Sequence, residues 1–135
     1  MDQPDTTVTY LRILVAEDNL INQKVVRLIL GRLGFESKIV TNGKEALAES
    51  VRNPYDVILM DDNMPEMDGV TAASAIHKYY TDSPSPYIVA MTANTIPGDR
   101  ERYLSLGMDD YISKPLRNDE LRIILNRVSA GKSRK

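Results

Sequence analysis

The apolar residues of this chain fall into short runs that alternate with longer stretches of helical periodicity. The short apolar or β-branched runs predict five strands, at residues 11–16, 36–40, 57–60, 87–91 and 110–113. Apolar residues three or four positions apart predict five helices, after Asn19 and at residues 42–51, 70–80, 97–107 and 119–128. Since parallel strands need crossover connections, this alternation predicts an α/β fold with a doubly wound, five-stranded parallel sheet.

The first helix carries the clearest local signals. Asn19 is a plausible N-cap, and Gly34 stands where a left-handed C-terminal residue is expected. The apolar residues Ile21, Val25 and Leu28 to Ile29 recur at helical spacing. This spacing predicts the first helix.

Length and composition indicate one folded domain. The 135 residues are 42% hydrophobic and 27% charged, which predicts a domain over residues 11–129 between flexible segments 1–10 and 130–135. The net charge of −2 favours neither nucleic acid nor an anionic membrane surface. The chain has no cysteine and no apolar run of about 20 residues. We therefore expect a cytoplasmic location.

Polar side chains follow four of the predicted strands. Glu17 and Asp18 come after the first, Asp61 after the third, Thr92 after the fourth and Lys114 after the fifth. The carboxyl ends of parallel strands meet at one sheet edge, so these groups are expected to converge. Clustered carboxylates predict a hard divalent cation, Mg²⁺ or alternatively Mn²⁺. A carboxylate can also accept a phosphoryl group, which makes the central acid, Asp61, the candidate nucleophile.

Four sequence motifs together resemble the receiver domains of two-component response regulators. The resemblance covers about residues 11–128. The motifs are Ile13-Leu14-Val15-Ala16-Glu17-Asp18-Asn19, Ile58-Leu59-Met60-Asp61 with Met64-Pro65-Glu66-Met67-Asp68-Gly69, Met91-Thr92-Ala93, and Gly107-Met108-Asp109-Asp110-Tyr111-Ile112-Ser113-Lys114-Pro115. The resemblance implies a flavodoxin-like sheet with strand order 2-1-3-4-5.

The resemblance also implies roles for individual residues. Asp61 would be the phosphoacceptor, and Thr92 and Lys114 would contact the phosphoryl group. Mg²⁺ would be bound by Asp18, Asp61 and the backbone carbonyl of Asn63, with Glu17 acting mainly through water.

Two further residues acquire expectations from the family. Tyr111 matches an aromatic position that turns inward when Thr92 closes on the phosphoryl group. The bond between Lys114 and Pro115 would be cis.

The segments after Asp18 and Thr92 are similar to those in receivers of hybrid sensor histidine kinases. The implied function is a signalling domain, not an enzyme. It would take phosphate from a phosphohistidine on a histidine kinase or phosphotransfer protein, as a freestanding or excised domain, monomeric or weakly dimeric. Phosphorylation would remodel a partner-binding face at residues 97–106 and 111–125.

Several readings stay open at this stage. Asp62 is an acid where the family more often has an apolar residue, and it either raises the demand for cation or points to water. Asn63 and Asn94 either tune hydrolysis of the acyl phosphate or form turns. His77, the single histidine, is expected to be solvated.

Two other function classes compete with the receiver assignment. An aspartyl phosphatase would use Asp61 as nucleophile, but Asn63 stands where its general acid is needed. A flavin-binding module of similar topology would need Ser, Thr or Gly after the first strand, and Glu17 and Asp18 would repel its phosphate.

Overall fold

In the computed structural model, which describes residues 11–81, 84–93 and 98–133, five parallel strands alternate with five helices. The strands are β1 (Ile13–Ala16), β2 (Ser37–Val40), β3 (Val57–Asp61), β4 (Tyr87–Thr92) and β5 (Asp110–Ser113). The helices are α1 (Leu20–Arg32), α2 (Gly43–Arg52), α3 (Gly69–Tyr79), α4 (Asp99–Ser105) and α5 (Asn118–Ser133). The sheet order is β2-β1-β3-β4-β5, which confirms the predicted fold.

Alternate residues of the central strands supply two separate cores. In β1, Ile13 and Val15 face the side covered by α1 and α5, whereas Leu14 and Ala16 face the side covered by α2, α3 and α4. All four are at most 2% exposed. A strand buried on both faces needs a continuous apolar run, and the motif around β1 has one.

Side-chain caps fix where the helices begin. The side chains of Asn19, Asn42 and Asp68 accept hydrogen bonds from the backbone N–H three residues later, at 2.8–2.9 Å. Each cap contributes about 1 kcal/mol. Gly34 follows α1 with φ +91°, as predicted for a left-handed C-terminal residue.

The helix predicted after Asn19 is confirmed as α1, but most of the apolar residues that indicated it lie off its buried face. Ile21, Val25 and Leu28 are 72%, 38% and 56% exposed, and of the four apolar residues only Ile29 is buried. The buried residues are Val26, Ile29 and Leu30. Both sets have helical spacing, so periodicity alone could not choose between two apolar stripes on one helix.

The element boundaries differ from the predictions by a few residues. β1 begins at Ile13, and α5 continues to Ser133, so it includes residues 130–133, which the sequence analysis assigned to the tail. Ser129 is 3% exposed one turn after Leu125, so the buried face of α5 continues beyond the predicted end. Residues 1–10 and 134–135, Asn94, and the predicted start of α4 at Pro97 lie outside the described residues.

Candidate functional site

Four strand ends bring charged and polar side chains to one edge of the sheet. Glu17, Asp61, Thr92 and Lys114 lie at or directly after the ends of β1, β3, β4 and β5. Carboxylate oxygens of Glu17, Asp18 and Asp61 all lie within 4.8 Å of one another. The convergence that the sequence predicted is therefore present in the fold.

Glu17 is the most deeply buried of the three acids. It is 0% exposed, and its Oε1 accepts a hydrogen bond from Lys114 Nζ at 2.8 Å. Its Oε2 accepts from the Asn19 backbone N–H at 3.1 Å and from Asn22 Nδ2 at 3.4 Å. These donors come from the start of α1, so the helix cap also holds the acid in place.

Asp61 is buried at the centre of the site. It is 7% exposed, and its Oδ2 lies 3.5 Å from Lys114 Nζ. The Asn63 backbone N–H donates to its Oδ1 at 3.3 Å. Gly69 closes the loop behind it, because a Cβ at that position would collide with the Asp61 carbonyl oxygen.

The electrostatics of Asp61 reflect incomplete charge compensation. Burial and then the charge of Glu17 raise the pKa of Asp61 to about 6, although Lys114 and the Asn63 N–H oppose the shift. Burial alone would lower the pKa of Lys114, but its contacts with Glu17 and Asp61 outweigh burial and raise it. Lys114 is thus a firmly charged ammonium that lies closer to Glu17 than to Asp61.

The donor set fits a hard cation. The cluster consists of three carboxylates, Glu17, Asp18 and Asp61, and the neighbouring ammonium of Lys114 offsets one of their charges. Asp18 is exposed, so one side of the cluster is open to solvent. Oxygen ligands with surplus negative charge are what Mg²⁺ prefers. The metal role of the Asn63 carbonyl stays a prediction.

Thr92 and Tyr111 lie on the neighbouring strands. Thr92 is 2% exposed at the end of β4 and pairs in register with Ser113 of β5. Tyr111 is partly buried, and its ring stacks on Tyr103 with the centroids 5.8 Å apart. The bond between Lys114 and Pro115 is cis, as predicted.

The structure gives Asp62 a partner that neither hypothesis named. The side chain is half-buried, lies outside the cluster of three acids, and accepts a hydrogen bond from the Tyr103 hydroxyl at its Oδ2. Its effect on the demand for cation stays a prediction. Sequence analysis missed Tyr103, which is 2% exposed in α4. The available signal was Asp62 itself, because an acid in place of an apolar residue needs a buried partner.

His77 is partly exposed, with 28% of its side chain accessible, and it also has two polar partners. Its Nδ1 lies 2.6 Å from Ser85 Oγ, and its Nε2 lies 3.3 Å from Asp109 Oδ2. These contacts join α3 to the segments before β4 and β5. They lie away from the acid cluster and give His77 no place in it.

Comparisons with known proteins agree with this geometry. Residues 13–126 match the family described as response regulator receiver domain. Hybrid signal transduction histidine kinase G of Dictyostelium discoideum is 38% identical over 129 residues, which are 94% of this chain but only 4% of that kinase. The chain therefore spans a small part of this curated relative. No helix in the described ranges is long and apolar enough to cross a membrane.

Two solved structures are similar over most of the chain. One is the receiver domain of sensor histidine kinase PA1611 from Pseudomonas aeruginosa, with magnesium in its active site cleft, at 38% identity and a TM-score of 0.78 over 90% of this chain and 99% of that one. The other, at 27% identity and a TM-score of 0.83, is the Saccharomyces cerevisiae co-crystal of the phosphotransfer protein Ypd1 and the receiver domain of Ssk1, matched over 91% of each chain. The fold, the converging strand ends and these matches lead to one conclusion: the chain belongs to the response regulator receiver domain family of two-component phosphorelays.

Proposed function

We propose that Asp61 is the phosphoacceptor of this receiver domain. The observation that carries the proposal is the position of its carboxylate, which is buried at the end of β3 between a fully buried acid, Glu17, and the Lys114 ammonium. A buried carboxylate whose negative charge is only partly offset by nearby cations is a candidate nucleophile, because such perturbed acids cluster at functional sites and carboxylates can accept phosphoryl groups.

In the proposed reaction an Asp61 carboxylate oxygen attacks the phosphorus of a phosphohistidine. The new P–O bond forms as the P–N bond breaks, and the electron pair stays on the leaving imidazole nitrogen, which takes up a proton. The product is an acyl phosphate on Asp61. Water later attacks phosphorus, which releases inorganic phosphate and restores the carboxylate.

Three side chains would assist this transfer. Lys114 Nζ, at 3.5 Å from Asp61 Oδ2, would pair with a phosphoryl oxygen. Thr92 would donate its hydroxyl hydrogen to another. Glu17, Asp18, Asp61 and the Asn63 carbonyl would hold Mg²⁺, or Mn²⁺ in its place, and the bound cation would offset charge on the transferring oxygens.

The donor is proposed to be a histidine kinase or a histidine phosphotransfer protein. The similarity to hybrid kinase G and to the Ssk1 receiver crystallised with Ypd1 supports this class of partner. The domain would act in the cytoplasm, as a monomer or weak dimer, without nucleic acid or membrane as direct ligands. Closure of Thr92 on the phosphoryl group, followed by Tyr111, would change the face at residues 97–106 and 111–125.

Intact-mass measurement after incubation with acetyl phosphate and Mg²⁺ tests the proposal. The parent should gain the mass of one phosphoryl group, and Asp61→Asn should gain none. Asp119→Asn is the matched control, because Asp119 has an exposed side chain and lies outside the site. Equal gain in parent and Asp61→Asn would refute the assignment, and steady turnover of small phosphomonoesters would favour the aspartyl phosphatase instead.

A further inference from the structure

A large cavity opens at the edge of the sheet opposite the acid cluster. Its volume is about 680 Å³, and residues before β3, residues before β4 and the end of α5 form its wall. Apolar and aromatic side chains dominate that wall: Pro54, Tyr55, Tyr80, Pro84, Tyr87 and Val128. Cavities of roughly 300–1,000 Å³ with such walls are typical of small-molecule sites. The function proposed for Asp61 makes no use of this cavity.

Ser85 lines the cavity and belongs to a chain of polar contacts that leads away from it. Its Oγ lies 2.6 Å from His77 Nδ1, and His77 Nε2 lies 3.3 Å from Asp109 Oδ2. The Ile88 backbone N–H donates to the same Asp109 oxygen at 2.8 Å and so holds the carboxylate in place. An alcohol, an imidazole and a carboxylate from three separate segments are thus aligned behind the cavity wall.

The hydrogens of this chain favour one arrangement when the imidazole is neutral. A carboxylate can only accept, so His77 carries its hydrogen on Nε2, the nitrogen that faces Asp109. Nδ1 then has a lone pair, and Ser85 donates its hydroxyl hydrogen to it. The other acceptor near that hydroxyl, the Pro86 carbonyl oxygen, is further away at 3.4 Å. The imidazole is therefore placed to take up the Ser85 proton, as a base beside a nucleophile must be.

We propose that Ser85 is a second nucleophile of this protein, which accepts the acyl group of an aromatic ester bound in the cavity. A bond forms between Ser85 Oγ and the carbonyl carbon while His77 Nδ1 takes up the hydroxyl proton. The ester C–O bond then breaks, and the leaving alcohol oxygen takes that proton from His77. The products are an acyl-serine and an alcohol. Asp109 stabilises the imidazolium between the two steps. The inference does not rest on the function proposed for Asp61.

The wall of the cavity selects the class of ester. The rings of Tyr55, Tyr80 and Tyr87 favour an aromatic acyl group, because aromatic rings prefer to stack or to pack edge to face. Arg127 lines the same cavity with a side chain that is 51% exposed. Its positive charge would offset the negative charge that develops on the ester oxygen. An ester of an aromatic acid is therefore the expected substrate.

Incubation with 4-nitrophenyl benzoate at pH 8.5, which favours the neutral imidazole, tests the proposal. Peptide mass mapping of the parent should find one benzoyl group at Ser85, accompanied by release of nitrophenolate. Ser85→Ala should lose both signals. Ser105→Ala is the matched control and should keep both, because the Ser105 hydroxyl donates to the Arg102 carbonyl oxygen in α4, away from the cavity. Benzoylation of lysines alone, to the same extent in the parent and in Ser85→Ala, would overturn the proposal.

His77→Gln separates an activated serine from one that is merely accessible. Loss of the base should slow benzoylation of Ser85 by about 100-fold, since general-base catalysis contributes roughly 10²- to 10⁴-fold. Lys78→Gln, at the next position of α3 and exposed, should keep the rate of the parent. A melting temperature close to that of the parent would confirm that His77→Gln is folded. An unchanged rate in His77→Gln would show that its contact with Ser85 is structural and that the proposal is wrong.

Discussion

Two buried acids in this molecule, Asp110 and Asp61, stand in surroundings of opposite charge balance. Asp110, 2% exposed at the start of β5, accepts from Arg100 at 2.8 Å, Arg127 at 2.5 Å and the Tyr87 hydroxyl at 3.1 Å. At the other cluster, three carboxylates lie beside the ammonium of Lys114, which is the one cation that contacts them among the residues that the structure describes.

The difference separates a structural ion cluster from a functional one. Asp110 has two cations for one acid, and its contacts tie β4, α4 and α5 to β5. The cluster around Asp61 keeps surplus negative charge beside solvent and raises the pKa of its central acid. Asp61 and Asp110 are both buried, so the deficit of positive charge, and not burial, marks the site that has to bind a ligand.

The largest expected effect comes from removing the Lys114 ammonium from the deficient cluster. Lys114→Met leaves Glu17, which is 0% exposed, without its ammonium partner. We expect a loss of about 3 kcal/mol in the free energy of unfolding, measured by urea denaturation at pH 8 with EDTA. Lys78→Met, at an exposed position of α3, is the matched control. Equal stability of the two variants would show that Glu17 does not depend on Lys114.

A smaller loss is expected at the compensated cluster. Asp110→Asn removes the charge that Arg100 and Arg127 share, but both arginine side chains are 51% exposed and can turn to water. We expect the free energy of unfolding to fall by about 2 kcal/mol. Mg²⁺ affinity, measured by calorimetry, should stay within about twofold of the parent. A large change in Mg²⁺ affinity would break the distinction between the clusters.

Neutralising the central acid, Asp61, should raise the free energy of unfolding instead of lowering it. Because folding raises the pKa of Asp61 from 3.8 to about 6, the folded state binds the proton more tightly, and the free energy of unfolding falls as the pH rises through that window. Asp61→Asn should remove this fall and gain about 1 kcal/mol at pH 7 in EDTA. Added Mg²⁺ should stabilise the parent only. A variant less stable than the parent in EDTA would contradict the assigned charge deficit.

The smallest effect on stability is expected at Asp109, whose partner His77 is charged only at lower pH. The hydrogen bond to Asp109 raises the pKa of His77, although burial opposes it. The stabilisation is therefore complete below the unfolded pKa of about 6.5 and is lost as the pH rises through the higher folded value. Relative to His77→Gln, the parent should lose less than about 1 kcal/mol over that rise. Parallel stability curves from pH 5 to 9 would exclude the pair as a stabilising contact.

Much of the fold followed from the sequence because local rules set it. The strand at Asp110–Ser113, the cap at Asn19 and the left-handed Gly34 each depend on neighbouring residues, and each is confirmed. The convergence of Glu17, Asp61 and Lys114 was predictable because parallel strand ends share one edge.

The missing parts depend on contacts between distant residues. The inner face of α1 was ambiguous because Val25 and Val26 belong to two apolar stripes of similar spacing, and only packing selects one. The bond from Tyr103 to Asp62 joins α4 to the end of β3. No periodic pattern in the sequence predicts this pairing. The same holds for the contacts of Arg100 and Arg127 with Asp110.

The most direct test of the central claim is to locate the phosphoryl group. Acetyl phosphate treatment, borohydride reduction and peptide mass mapping convert an acyl phosphate into a homoserine at the modified position. We predict homoserine at Asp61 when Mg²⁺ is present and almost none in EDTA. Modification at Asp62 or another acid, or equal labelling of Asp61 without the metal, would contradict the account.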